Sequence, residues 1–244
     1  MQVRVKRMSD YNFDRKLFMP MKTGAKIDHF FSAEGGIMPG TNIVVTGDPG
    51  VGKTTVLLDV LADIQDRGKK VLFISGEMNA IDMVGYAKRY PKFNNVDILF
   101  LGDYADENPM LVLRKVLEQG FDCVLIDSLA EVANVIVDFD GKGTYKSATS
   151  KVLSLMEEHN LGKNKAGLNT AFLIIQQVTK SGAFAGSNRI KHMTTGMAHL
   201  KFQEGERYIV FSKNRRGGNM NKLYYNLSVG NKVHWLHEGT AGGE

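Results

Sequence analysis

Short apolar runs recur along the chain, each followed by a stretch whose apolar residues return every three or four positions. Asn42 to Thr46, Val71 to Ser75, Asp97 to Leu101, Cys123 to Asp127 and Ala171 to Gln176 are rich in Val, Ile, Leu and Phe, the pattern of strands buried on both faces. Between them, Leu57, Val60, Leu61 and Ile64 share one helical face, as do Met110, Leu113 and Leu117, and later Ala148, Val152 and Leu155. Such alternation predicts a parallel sheet with crossover helices. From Met197 the character changes. Met197 to Phe202, Glu206 to Lys213, Lys222 to Leu227 and Lys232 to Trp235 read as short strands joined by tight turns such as Glu204-Gly205 and Gly230-Asn231. The expected fold class is α/β: a mostly parallel twisted sheet with helices on both faces, extended by C-terminal antiparallel hairpins.

Two polar segments interrupt this order. Asp138 to Ser147 directly follows the fourth strand, and Val178 to His192 follows the fifth, with Lys180, Arg189, Lys191 and His192 among its residues. Both are expected to leave the carboxyl ends of neighbouring strands, the edge where open α/β sheets bind ligands. The first forty residues have no strong periodicity and start basic, with Arg4, Lys6, Arg7, Arg15 and Lys16. They read as an arm or linker. The expected division is an arm over residues 1–22, one domain over 23–237 and a flexible tail over 238–244.

Composition narrows the classes. A chain of 244 residues with 43% hydrophobic content has room for one α/β core, while a second full domain would be cramped. Met1 to Asp10 is charged and no apolar segment follows it, unlike a signal peptide. No run approaches the roughly 18 apolar residues needed to cross a bilayer. The single cysteine, Cys123, excludes an internal disulfide or a four-cysteine zinc ribbon and is expected to be a buried structural thiol. The expectation is a soluble, cytoplasmic protein of a reducing compartment. The net charge of +5 points to an anionic partner only where the charge gathers.

Chemistry enters with Gly47-Asp48-Pro49-Gly50-Val51-Gly52-Lys53-Thr54, followed by Thr55. The stretch satisfies G-x-x-x-x-G-K-[ST] between a strand and a helix. Glycines let successive N–H groups turn toward phosphate oxygens at a helix N-terminus. Lys53 then reaches the β- and γ-phosphates, and the Thr54 hydroxyl reaches Mg²⁺. Asp127 ends an apolar strand, where it can hold the magnesium through its water shell. Glu77 ends Val71 to Glu77, where a carboxylate can orient the attacking water or cap the helix starting near Asn79. Gln176 and Gln177 end the fifth strand, as γ-phosphate sensors or as a polar strand terminus. In Lys213-Asn214-Arg215-Arg216-Gly217, positions two apart on a strand share a side. Lys213 and Arg215 are thus either a solvated edge or fingers into a neighbouring subunit's site.

These features in this order resemble the RecA-like ATPases, most closely the RadA (Sms) family, with DnaB-type helicases next. The resemblance runs from about Thr23 to Trp235. Thr23-Gly24 through Gly35-Gly36-Ile37-Met38-Pro39-Gly40 is similar to the family's lead-in, and Ser75-Gly76-Glu77 to its catalytic-glutamate strand. Val178 to Gly186, continuing to Lys191-His192-Met193, resembles the RadA second DNA-binding loop, and Lys213 to Gly217 its K-N-R-F-G motif. The resemblance implies ATP and Mg²⁺ as ligands and a homo-oligomer, a hexameric ring with nucleotide at subunit interfaces. It also implies Lys213 and Arg215 acting in trans, and single-stranded DNA gripped by the two polar loops. On that footing Lys142 and Lys146 of the first loop, and Lys180, Arg189 and Lys191 of the second, neutralise DNA phosphates. Phe184 stacks on a base or packs internally. Departures are Arg216 in place of phenylalanine, Gln177 where RadA proteins carry histidine, and no zinc module in front or protease-like domain behind.

The leading expectation is a DNA-dependent ATPase that translocates on single strands in recombination, repair or replication, with a recombinase or replication protein as possible partner and helicase activity as a possible output. The alternative is an ATP-switched assembly or helicase-loading protein with slow hydrolysis. A small-molecule kinase fits less well, because the basic pair lies in the late hairpins rather than in an arginine-rich lid.

Overall fold

Five apolar runs pair side by side in the computed structural model, which describes residues 5–177, 189–227 and 231–240. In chain order the elements are α1 (Asp28–Phe31), β1 (Asn42–Gly47), α2 (Lys53–Gln65), β2 (Val71–Ser75), α3 (Ala80–Arg89), β3 (Asp97–Phe100), α4 (Pro109–Leu117), β4 (Cys123–Asp127), α5 (Leu129–Asp140) and α6 (Tyr145–Asn160). There follow β5 (Ala171–Ile175), α7 (Arg189–Met193), β6 (Gly196–Gln203), β7 (Glu206–Asn214), β8 (Lys222–Asn226) and β9 (His234–Gly239). The strands form one nine-stranded sheet in the order β3-β2-β4-β5-β1-β6-β7-β8-β9. Pairing is parallel from β3 to β6 and antiparallel from β6 to β9.

Alternate residues of the central strands feed two cores. Ile43, Val45, Phe73, Leu125 and Leu173 join α1, α2 and the inward side chains of the hairpins. Val44, Leu72, Ile74, Val124, Ile126, Phe172 and Ile174 join α4, α5 and α6. This double burial is why the runs lack polar alternation. Each large side chain so buried contributes about 1.5–3 kcal/mol of transfer free energy. Cys123 is free and fully buried, and burial pushes its thiol pKa up, as expected of a structural thiol.

The hairpin turn lies where expected, with Glu204 and Gly205 at φ 53° and 86°. Other details differ from expectation. The segment after β4 is helical: Ser128 caps α5 through Glu131 N–H, and Leu129, Val132, Ala133 and Ile136 are buried on one face. The polar connection therefore shrinks to 141–144, between α5 and α6, and does not leave a strand directly. The lead-in belongs to the core from Met21, which is buried and bridges Ile37, while Phe31 meets the Phe211 ring edge-on at 6.1 Å. Local periodicity misses these residues because their partners are distant in sequence. Within residues 5–19 the backbone bonds are local, and Tyr11 and Phe13 remain exposed. The last strand runs from His234 rather than Lys232, and β7 ends at Asn214.

Candidate functional site

Because β1, β2, β4 and β5 run parallel, their carboxyl ends open on one edge, and register decides what meets there. Ser75 pairs with Asp127, so the chain leaving β2 toward Glu77 emerges beside the end of β4. A cleft of about 930 Å³ lies along this edge.

The Gly47–Thr54 loop forms its floor. At Gly47, φ is 154° and a Cβ would stand 2.3 Å from the Leu200 carbonyl oxygen, so no side chain fits without shifting the backbone. Lys53 begins α2 and folds back, its ammonium donating to the Gly47 and Asp48 carbonyls at 2.8 and 3.0 Å. Burial lowers the Lys53 pKa, opposed by the carboxylates of Asp127, Glu77 and Asp48. Pro49, Gly50, Gly52, Thr54 and Thr55 also line the cleft. Asp48 is exposed, whereas Val51 is buried and gives its carbonyl to the Tyr225 hydroxyl at 3.0 Å.

Thr54 donates its hydroxyl to Asp127 Oδ2 at 2.5 Å. Burial pushes the Asp127 carboxyl up to about 6, with the Thr54 bond and Lys53 pulling it down and Glu77 pushing it further up. A buried carboxylate beside a hydroxyl is a hard oxygen pair suited to magnesium, which keeps several waters and takes phosphate oxygens as further ligands. Among the described residues no group of three or more His, Cys, Asp or Glu side chains could hold a metal without such help. Glu77 and Gln177 meet across the cleft, Gln177 Nε2 donating to Glu77 Oε1 at 3.0 Å. The capping alternative for Glu77 is not what the helix uses: Asn79 caps α3, accepting from Ile81 and Asp82 N–H. Gln176 is buried and does not line the cleft.

The rest of the lining comes from residues that sequence motifs did not single out: Tyr86, Arg89, Tyr90, Arg207, Leu227 and Asn231, with Leu227 packed against Gly52 of the loop. Tyr90 stacks on Phe93 with centroids 5.0 Å apart and donates its hydroxyl to the Leu227 carbonyl at 2.8 Å. Behind it, Asp59 on α2 accepts from Val233 N–H at 3.0 Å and pairs with Lys92 at 2.6 Å. Its pKa is raised by burial and held back chiefly by Lys92. The Val233 bond ties the β8–β9 connection to the helix that follows the phosphate loop. Flat rings and an aliphatic wall of this kind suit a planar heterocycle. One signal was present in the sequence: Arg207 shares the alternation of Ile209 and Phe211, a cation in the buried phase of a strand.

Lys213 and Arg215 do not line the cleft of their own chain. Arg215 falls just past the strand, its N–H donating to the Thr195 carbonyl at 2.8 Å. It is still near enough for its charge, after burial, to lower the Lys213 pKa. The motif is fastened to α1. Asn214 Nδ2 donates to the Phe30 and Phe31 carbonyls at 2.7 and 3.3 Å and Oδ1 accepts from Arg216 N–H. A Cβ on Gly218 would meet the Phe30 oxygen at 2.2 Å, so the turn needs glycine there. Lys142 is exposed in the 141–144 connection and Lys146 in the first turn of α6. Lys180 and Phe184 lie outside the described residues, as do the side chains of Arg189 and Lys191 on α7.

Residues 16–234 match the RecA N-terminal domain family. The chain belongs to that family. DNA repair protein RadA of Streptococcus pyogenes is 28% identical over 210 residues, covering 83% of this chain and 43% of that protein. The RadA of Listeria monocytogenes is 32% identical over 190 residues, 75% and 38% of the two chains. The chain thus spans less than half the length of these relatives. Among solved structures, the KaiC-like protein PH0186 of Pyrococcus horikoshii superimposes with a TM-score of 0.64 at 17% identity, covering 90% of this chain and 99% of that one. The flagellar accessory protein FlaH of Methanocaldococcus jannaschii gives 0.65 at 12%, covering 87% and 96%. At those identities the likeness carries the RecA-like fold alone. None of the described helices is long and apolar enough to cross a membrane.

Proposed function

We propose that the chain is the ATPase core of a RadA-type motor that binds single-stranded DNA and hydrolyses ATP at subunit interfaces, in recombination, repair or replication. One observation carries this reading: Lys53, Thr54, Asp127, Glu77 and Gln177, drawn from four parallel strand ends, converge on one cleft. The RadA relatives support the DNA assignment.

In this reading the Lys53 ammonium exchanges the Gly47 and Asp48 carbonyls for the β- and γ-phosphates of ATP. Thr54 and Asp127 hold the magnesium ion, which neutralises phosphate charge when bound. Glu77 accepts a proton from the water that attacks the γ-phosphorus as the bond to the β-phosphate oxygen breaks. Gln177 holds the Glu77 carboxylate at rest and leads directly into the basic loop, so a change at the γ-phosphate reaches DNA through it. Lys213 and Arg215 act on the site of the next subunit, which accounts for their distance from their own cleft. A ring, six-membered by the RadA resemblance, satisfies that geometry. Lys142, Lys146, Lys180, Arg189, Lys191 and Phe184 contact the strand, and a recombinase or replication protein recruits the core.

The test is steady-state ATP hydrolysis with and without single-stranded DNA, at two protein concentrations and increasing salt. Stimulation by DNA that fades with salt, with specific activity rising with protein concentration, supports the motor. Slow turnover indifferent to DNA replaces it with an ATP-switched assembly or loading protein.

A further inference from the structure

Arg207 brings into the cleft a positive charge that meets an aromatic ring but no carboxylate among the described residues. It sits near the start of β7 in register with Tyr225 and lines the end of the cleft formed by Tyr86, Tyr90 and Leu227. Its guanidinium lies over the Phe202 ring, 5.0 Å from the centroid. Burial raises the pKa of both the Tyr90 and Tyr225 phenols, and the nearby Arg207 charge opposes that rise. Yet Nε is buried without a hydrogen-bond partner, and no ion pair reaches the side chain among the described residues. Arg114, which is exposed where Arg207 is half-buried, has Glu158 at 2.8 Å. Burial closes Nε off, so any donor that the side chain offers to a ligand is a terminal Nη group of the guanidinium.

The position decides the kind of acceptor. Phosphate oxygens are served at the other end by the glycine loop and Lys53. Around Arg207 the walls are two tyrosine rings and a leucine, which accommodate a flat base. A guanidinium presents parallel donors in a fixed fork. Guanine offers two adjacent acceptors, N7 and O6, to such a fork, whereas adenine offers N7 beside a donor amino group.

We propose that Arg207 is a specificity-determining residue that donates to the N7 edge of a purine, so that the site takes guanosine triphosphate at least as well as adenosine triphosphate. The proposal rests on the reading of the cleft as a nucleotide site.

Equilibrium binding of ATP, GTP, 7-deaza-GTP and UTP, each with magnesium, to wild type, Arg207→Ala and Arg207→Lys tests it. Wild type is expected to bind GTP no more weakly than ATP, and to lose about tenfold or more in affinity when N7 is removed. Arg207→Ala loses a similar factor for GTP, binds GTP and 7-deaza-GTP alike, and changes little toward UTP. Arg207→Lys keeps the charge over Phe202 and the fold but not the fork, so it too loses discrimination between GTP and 7-deaza-GTP. Unchanged base preference in both variants overturns the assignment, as does an equal loss for all four nucleotides, the mark of a phosphate contact. If wild type binds none of them, the nucleotide reading of the cleft itself fails; if it binds them with no dependence on Arg207, only this inference does.

Discussion

The two ends of the cleft are built differently. At the phosphate end, Glu77, Asp127 and Gln177 stand at or within two positions of the end of a buried parallel strand, so backbone register fixes them relative to one another, and the loop after β1 brings Lys53 to them at the start of α2. At the base end, Tyr86, Tyr90, Arg207, Leu227 and Asn231 come from a helix, a strand and a loop. They are held together by side-chain bonds such as Tyr90 to Leu227 and Tyr225 to Val51. A sheet tolerates few rearrangements without losing its whole ladder, while side-chain ties can be cut singly. The phosphate end should therefore respond to substitution in chemistry, and the base end in affinity and local stability.

The largest effect tests the first half of that contrast. Lys53→Ala removes the charge proposed to meet the phosphates and should lower nucleotide affinity by more than about 100-fold, since charge-assisted bonds are worth about 1.5–3 kcal/mol each. The fold should persist, because Lys53 bonds only carbonyls of its own loop. Retained ATP hydrolysis in the variant would remove the proposed mechanism altogether.

Arg215→Ala comes next. A cation supplied across an interface is worth about 10³–10⁵ in turnover, so hydrolysis by assembled protein should collapse while nucleotide binding stays. Mixing the variant with Glu77→Gln subunits separates the models. An interface pairing the intact Glu77 of one subunit with the intact Arg215 of the other should recover part of the activity. A mixture as inactive as its components would leave Arg215 a solvated edge residue.

Register also explains what could be read from the chain. The five parallel strands and the phosphate loop were legible because double burial writes continuous apolar runs and because the loop's residue types follow from its backbone. α5 was not legible, since its short apolar face of Leu129, Val132 and Ile136 runs directly into the polar stretch ending at Ser147. Met21, Phe30 and Phe31 were missed because no local period marks a residue whose partners are Ile37 and Phe211. Of the base end, only Arg207 left a trace, as a cation in phase with Ile209 and Phe211. Whether Glu77 is a cap or a cleft residue turned on Asn79, two positions away. A helix has one N-cap, and Asn79 holds the place.

Asn214→Ala probes the fastening of the basic motif and should have a middling effect. It removes donations to the Phe30 and Phe31 carbonyls and an acceptor for Arg216, worth about 1–3 kcal/mol together. A melting temperature lowered by about 2–12 °C is expected for a chain of this size. Turnover should fall further than nucleotide affinity, because Lys213 and Arg215 lose their frame while the cleft keeps its own. Equal losses in both would mean that the motif supports the fold and nothing beyond it.

The smallest change belongs to the base end. Tyr90→Phe keeps the ring and its stacking on Phe93 but deletes the hydroxyl that holds the Leu227 carbonyl. One neutral hydrogen bond contributes about 1 kcal/mol, so the melting temperature should drop by about 2–4 °C. Loosening Leu227 shifts one wall of the cleft and leaves the strand tips where they were. Nucleotide affinity should accordingly weaken several-fold while the maximal hydrolysis rate is unaltered. A fall in that rate with affinity intact would mean that the two ends are mechanically coupled, through the bond from Val233 N–H to Asp59 on α2, and that the division between them does not hold.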